Sequence, residues 1–210
     1  MLGMGTVGTE VARALLQDVG RFADVTERGF ALRSIAVRRL DKDRGLALPG
    51  VSLVDDCGAV VRDPAIDLVI EVIGGLEPAR TLIKEALANG KVVVTANKAV
   101  IATHGKELTE TATAHGGALF CEAAAVGAVP VVRAVRESLA GDRVSAIAGI
   151  LNGTCNYILT QMTSAGASFA DALADAQRLG YAEADPTSDV SGEDAAYKLA
   201  LLAAFAFGEA

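Results

Sequence analysis

Residues 3–8 read Gly-Met-Gly-Thr-Val-Gly, a G-x-G-x-x-G string at the head of the chain. Few folds satisfy this pattern. Gly3 serves a tight turn, Gly5 lets backbone approach a pyrophosphate, and Gly8 allows close packing of the helix that follows. The N–H groups and dipole at that helix start then hold the anion. Thr6 and Val7 open the helix and join the three glycines as expected cofactor contacts, and Val7, Val11, Ala14 and Leu15 give it an apolar stripe. The strand that should precede Gly3 is reduced to Met1 and Leu2, so the sequence reads as starting just inside the first strand of a dinucleotide-binding domain. Ser34 to Val37 is the next strand. At its exit NAD sites carry an acid for the ribose hydroxyl, whereas NADP sites carry arginine for the 2′-phosphate. Arg38 and Arg39 stand there, which favours NADP, and the nearby Asp41 keeps NAD open.

Strands and helices then alternate. Leu68 to Ile73 reads as a strand, and Pro78 to Asn89 as an amphipathic helix closed by Gly90. Lys91 to Thr95 is a buried β-branched run, Lys98 to Ala114 a helix, and Ala118 to Cys121 a short strand. This pattern predicts an α/β fold, a Rossmann-type doubly wound parallel sheet over residues 1–124. With 51% apolar residues the chain has the material to bury such strands on both faces. The crevice of an open α/β sheet lies at its strand ends, where the Ile73-Gly74 turn, Thr95 and Lys98 fall. A lysine at a helix start is otherwise disfavoured, because the dipole there prefers anions. After Pro130 the texture changes: Val129 to Leu139 looks helical, Arg143 to Leu151 extended, and Gly153 to Met162 and Phe169 to Leu179 helical. A last helix starts near Gly192. Residues 125–210 are expected to form a second, α+β catalytic domain.

Net charge is −7 and no basic run occurs, which argues against a nucleic-acid binder. No stretch of membrane-spanning length is uninterruptedly apolar and no signal peptide is evident; Leu199 to Phe207 is better explained as a buried helix. Cys57, Cys121 and Cys155 are odd in number and widely separated, as free thiols in a reducing cytoplasm would be. His104 and His115 are expected at the surface.

The stretch from Gly180 to Leu199 gathers Glu183, Asp185, Asp189, Glu193, Asp194, Tyr197 and Lys198. Ser191 followed by Asp194 reads as a helix N-terminus, after which Asp194 and Lys198 share a helix face. A carboxylate and an amine held together beside further acids can orient an amine-bearing substrate and move a proton on it. The plainer alternative is a solvated acidic loop and an exposed ion pair worth a few tenths of a kcal/mol. Asn152-Gly153-Thr154 is at least a turn and a helix start.

Taken in order, G-M-G-T-V-G, E-V-I-G-G at Glu71, V-V-T-A-N-K-A at Val93, C-E-A-A-A-V-G-A-V-P at Cys121, G-I-L-N-G-T-C-N-Y-I at Gly149 and the acidic stretch ending in Lys198 resemble the homoserine dehydrogenase family. The resemblance implies interconversion of L-homoserine and L-aspartate 4-semialdehyde with a nicotinamide cofactor, on the route to threonine, methionine and isoleucine. It assigns proton transfer to Lys198, with Asp194 positioning it. It gives Glu183, Asp189, Gly153 and Thr154 to the substrate, and brings Lys98 to cofactor and substrate. Glu122 with Ala125, Gly127 and Val129 matches a sodium or potassium site built from one carboxylate and backbone carbonyls, ligands that suit hard cations. It further implies a homodimer or homotetramer joined through the catalytic domain. Family chains have a full strand before the phosphate loop and continue past Gly208, so the sequence reads as the central part of a longer enzyme. Two rival readings use the same residues. One is a thiol aldehyde dehydrogenase with Cys155 as nucleophile, which would need a histidine base that nothing after Cys155 supplies. The other is a non-catalytic dinucleotide-binding or dimerisation module.

Overall fold

Leu2 occupies the centre of a parallel sheet. It is fully buried, its N–H donates to the Ile70 carbonyl at 2.7 Å, and its own carbonyl accepts from Val72 at 2.9 Å. It bridges Ala36 on one side and Glu71 on the other. The structure is a computed structural model describing residues 1–18, 20, 29–127, 129–182 and 185–208. The chain divides into two compact units, Met1–Ala124 and Ala125–Ala210.

In the first unit β1 (Ser34–Ala36) pairs in parallel with β2 (Ser52–Val54), with Ile35 opposite Leu53. Separately, β3 (Leu68–Glu71), β4 (Val92–Thr95) and β5 (Ala118–Phe120) form a parallel ladder in which Glu71 faces Thr95. With Leu2 counted as the first strand, the order is that of a dinucleotide-binding sheet, and its winding reverses between Leu2 and β3. The Met1 amine, donating to the Ser34 carbonyl at 2.6 Å, is pulled down by burial to a pKa of about 6.

Helix α1 (Thr6–Gln17) buries Gly8 and Ala12 most deeply, with Val11, Ala14 and Leu15 of the predicted stripe half-buried. Val7 is exposed, while Val11 packs with Met1, Met4, Ile35 and Val37. The small residues face inward because the helix lies close to the strand ends. Neither β2 nor α2 (Cys57–Arg62), capped by Asp56, was anticipated. Helix α3 (Ala79–Ala88) buries Ala79, Leu82, Ile83, Ala86 and Leu87, a spacing that lines one face. Helix α4 (Lys98–His115) is capped by the Asn97 side chain and stopped by Gly116 at φ +70°, a left-handed end that suits glycine. Glu107 on α4 accepts from Arg80 and Lys84 on α3, and His104 lies 3.8 Å from the same carboxylate. His115 is exposed.

The unit division falls inside the short α5 (Glu122–Ala125). In the second unit, the helix expected from Val129 to Leu139 is instead α6 (Val131–Arg133) continued by a π-helical turn, Ala134–Ser138. Residues 143–151 adopt no regular element. Helices α7 (Gly153–Ala165) and α8 (Phe169–Arg178) pack through Ile158, Ala172 and Ala176, together with Ala182 from the loop after α8. The short α9 (Thr187–Val190) precedes α10 (Glu193–Phe207). As expected, α10 begins at Gly192, here at φ +83° and without a side-chain cap; Ser191 Oγ accepts from Glu193 N at 3.4 Å. The apolar run on α10 divides, with Leu201 and Leu202 buried and Leu199 and Phe207 exposed. Among the described residues no helix is long and apolar enough to cross a membrane.

Candidate active site

In the second unit the acids sort themselves by position. Asn152 caps α7, its Oδ1 accepting from Cys155 N at 2.7 Å. Its Nδ2 donates to Asp189 Oδ1 at 2.8 Å and to Asp194 Oδ2 at 2.9 Å. The same Asp194 oxygen lies 2.7 Å from Lys198 Nζ, one helical turn on, and Nζ also donates to the Leu151 carbonyl at 2.8 Å. The Asp194 side chain is 4% exposed and that of Lys198 20%, which separates this pair from an ordinary solvated ion pair. An ammonium has three N–H donors, so two fixed partners leave one for a ligand. Thr154 Oγ1 lies 2.7 Å from the Tyr181 carbonyl and 3.0 Å from Asp189 Oδ2, its one hydrogen shared between them.

These groups line a cavity of about 520 Å³ together with Gly153, Asn156, Tyr157, Thr160 and Tyr181. That volume exceeds what a four-carbon amino acid fills. Asn152, Gly153, Thr154, Asp189, Asp194 and Lys198 are therefore brought together; Glu183 lies outside the described residues. Asp185 and Glu193 do not line the cavity. Asp185 accepts from Thr187 N and Oγ1, bonds that lower its pKa, and so shapes the loop. Glu193 accepts from Tyr197 OH at 3.2 Å. The sequence showed Asn152 as part of a turn and helix start, which its capping of α7 bears out, but nothing local signals its bonds to two distant acids.

Cys155 is not arranged as a nucleophile. Its Sγ donates to the Asp189 carbonyl at 3.2 Å. Burial first, then the charges of Asp189 and Asp194, push the thiol pKa up, which withholds the reactive thiolate.

The phosphate loop in the first unit shows why its glycines are needed. Gly3 sits at φ +95°, and a Cβ there would meet the Val72 carbonyl at 2.8 Å. At Gly8 a Cβ would come within 2.5 Å of the Gly3 carbonyl. A Cβ at Gly5 would meet nothing within 4 Å, so its open side leaves the approach a pyrophosphate needs. Thr6 and Val7 are exposed at the start of α1. The residues present therefore fit a dinucleotide.

Glu71, fully buried at the end of β3, accepts from Ile73 N at 2.8 Å and Gly74 N at 3.3 Å. Its second oxygen accepts from Thr95 Oγ1 at 2.5 Å, and that hydroxyl accepts from Asn97 N at 2.9 Å. Asn97 in turn donates to the Gly75 carbonyl at 2.7 Å. Ile73, Gly74 and Thr95 are thus tied at the carboxyl ends of β3 and β4, with the Thr95 hydroxyl engaged by Glu71. Lys98 is the first residue of α4 and half-buried. Glu71 and Asn97 were missed as site residues. An acid inside an otherwise apolar strand was the available signal.

Arg38, Arg39 and Asp41 are all exposed just after β1. Glu122 opens α5, Ala125 ends it, and Gly127 and Val129 follow in the next turn. Among the described residues no three His, Cys, Asp or Glu side chains gather as metal ligands.

Comparison with known proteins bears on the whole chain. The family described as "Homoserine dehydrogenase, NAD binding domain" matches residues 3–122, and "Homoserine dehydrogenase" matches residues 130–210. The homoserine dehydrogenase of Synechocystis is 49% identical over 99% of this chain and 48% of its own length. The crystal structure of a homoserine dehydrogenase from Thiobacillus denitrificans matches with a TM-score of 0.89 and 49% identity, covering 100% of this chain and 48% of that one. A hyperthermophilic archaeal homoserine dehydrogenase in complex with NADPH matches with a TM-score of 0.85 and 28% identity, over 99% of this chain and 69% of that one. The chain spans about half the length of the curated relatives it matches. On a sheet ordered for dinucleotides, a glycine loop open at Gly5 and these matches over both units, the chain belongs to the homoserine dehydrogenase family.

Proposed function

We propose that the full-length protein carrying this chain interconverts L-homoserine and L-aspartate 4-semialdehyde with a nicotinamide dinucleotide, preferring NADP. The observation that carries this is the cluster of Asn152, Asp189, Asp194 and Lys198 around one cavity. When bound, the dinucleotide supplies the hydride acceptor. The chain supplies the proton chemistry. As the alcohol carbon loses hydride, its hydroxyl proton must leave, and a lysine amine can take it; in the reverse direction an ammonium protonates the forming alkoxide. Lys198 serves this role, oriented by Asp194 and by the Leu151 carbonyl.

Asp189, on α9, receives the substrate ammonium together with Glu183, and Gly153 and Thr154 meet it from the start of α7. Gly3, Gly5, Thr6, Val7 and Gly8 hold the pyrophosphate, and Arg38 with Arg39 the 2′-phosphate. Ile73, Gly74, Thr95 and Lys98 serve the nicotinamide end. By family resemblance a sodium or potassium ion binds through Glu122 and the carbonyls of Ala125, Gly127 and Val129. The same resemblance supports a cytoplasmic homodimer or homotetramer in which residues 1–124 bind the cofactor and residues 125–210 carry catalysis and assembly. The full-length enzyme should reduce NADP with L-homoserine and leave it oxidised with malate or lactate. Equal rates on hydroxy acids that lack the amine would remove Asp189 and Glu183 from substrate binding.

A further inference from the structure

Building on the NADP reading above, we propose that Arg44 is a positioning residue that sets the preference for a 2′-phosphorylated dinucleotide. It does so by locking the loop that carries Arg38 and Arg39 onto the phosphate loop.

One guanidinium makes three bonds here, all to backbone carbonyls. Nη2 donates to Arg39 O at 2.7 Å, Nη1 to Lys42 O at 2.7 Å and Nε to Met4 O at 3.3 Å. The first two staple the turn after β1. The third reaches forty residues back, to the position between Gly3 and Gly5. Met4 is itself 5% exposed, so this anchor is fixed in the core. The local sequence prepares the geometry: Asp43 Oδ1 accepts from Gly45 N at 2.8 Å, and Gly45 at φ +62° turns the chain so that Arg44 folds back over its own loop.

The two phosphates of such a cofactor would be read by different segments, the pyrophosphate at Gly5 and the 2′-phosphate at Arg38 and Arg39. Both arginines are exposed, and a long exposed side chain loses rotamer freedom when it binds. Their grip on one phosphate therefore depends on the distance from their backbone to the phosphate loop. Arg44 is the side chain that spans that distance. A planar fork with five N–H donors can meet three carbonyls at once, which a lysine ammonium on a flexible stem cannot reproduce.

The test is the dissociation constant of NADPH and of NADH, measured by titration calorimetry on the full-length enzyme, with thermal melting to show that each variant is folded. Both Arg44→Ala and Arg44→Lys should weaken NADPH roughly tenfold or more, the worth of a charged hydrogen bond, while NADH changes by no more than about twofold. A wild-type NADPH-to-NADH ratio retained in Arg44→Lys would overturn the proposal, because charge rather than the fork would then be what matters. Equal weakening of both cofactors in both variants would overturn it too, placing the brace in service of the pyrophosphate alone. A wild-type enzyme without NADPH preference would defeat the NADP reading itself, and that result is visible before any variant is made.

Discussion

At the scale of single residues, the centre of interest is an amine with two fixed partners. Lys198 is held by Asp194 and the Leu151 carbonyl at the wall of a cavity. In the full-length enzyme Lys198→Ala should lower turnover roughly 100- to 10,000-fold, the contribution of a positioned acid–base group. NADPH affinity should stay unchanged in the same variant. Lys198→Arg should not rescue turnover, since a guanidinium does not give up its proton in a protein. Near-normal turnover in Lys198→Ala would make the lysine structural and turn attention to Lys98. The pairing of Asp194 with Lys198 was legible because a four-residue spacing on a helix is a geometric statement. Asn152 was not legible. Its amide meets Asp189 and Asp194 at sequence separations of 37 and 42, and no local pattern encodes that distance. The same limit applies to Glu71 and Thr95, whose contact follows from strand register.

At the scale of elements, two glycines in one loop do different work, and alanine separates them. At Gly8 a new Cβ would sit 2.5 Å from the Gly3 carbonyl, backbone against backbone. Gly8→Ala should cost about 1–3 kcal/mol of stability in a denaturant melt, as overpacking does. At Gly5 φ is −83° and a new Cβ would meet nothing within 4 Å, so Gly5→Ala should cost about 1 kcal/mol or less, the scale of a changed helix cap. Yet Gly5→Ala should bind the dinucleotide far more weakly, because its methyl takes the space the pyrophosphate approaches. Unaltered cofactor binding in a folded Gly5→Ala protein would contradict the assignment. Elements with long periodic faces, such as α3, were readable from the chain, and so was the Val-rich β4. The short β2 and α2 were not, since three to six residues carry too little pattern to outweigh the turns around them. The start of α10 near Gly192 was legible, although it is Gly192 in the left-handed conformation, and no side-chain cap from Ser191, that stands at the N-terminus.

At the scale of the whole molecule, the alternation of strands and helices up to residue 122 was enough to specify a doubly wound parallel sheet, and the structure and comparisons agree. Less visible was that Leu2 would stand at its centre, where one residue bridges two strand groups. The site in the second unit also bears on how the folded protein ages. Asn152-Gly153 and Asn89-Gly90 are the chain's two Asn-Gly pairs, the dipeptide most prone to spontaneous loss of the side-chain amide, when the glycine nitrogen closes onto the asparagine carbonyl. At Asn152 the backbone is extended, with ψ 121°, and both ends of the side chain are bonded, while Asn89 is exposed at the end of α3 and bonded, among the described residues, through Nδ2 alone, to the Val61 carbonyl at 3.2 Å. Peptide mapping of folded protein kept at mildly alkaline pH should find conversion at Asn89 and little at Asn152, whereas the unfolded chain should convert both. Equal conversion in the folded state would show that the amide bonds do not protect Asn152. The folded state then acts as a preservative for its own chemistry, because a single conversion at Asn152 would set a third carboxylate between Asp189 and Asp194.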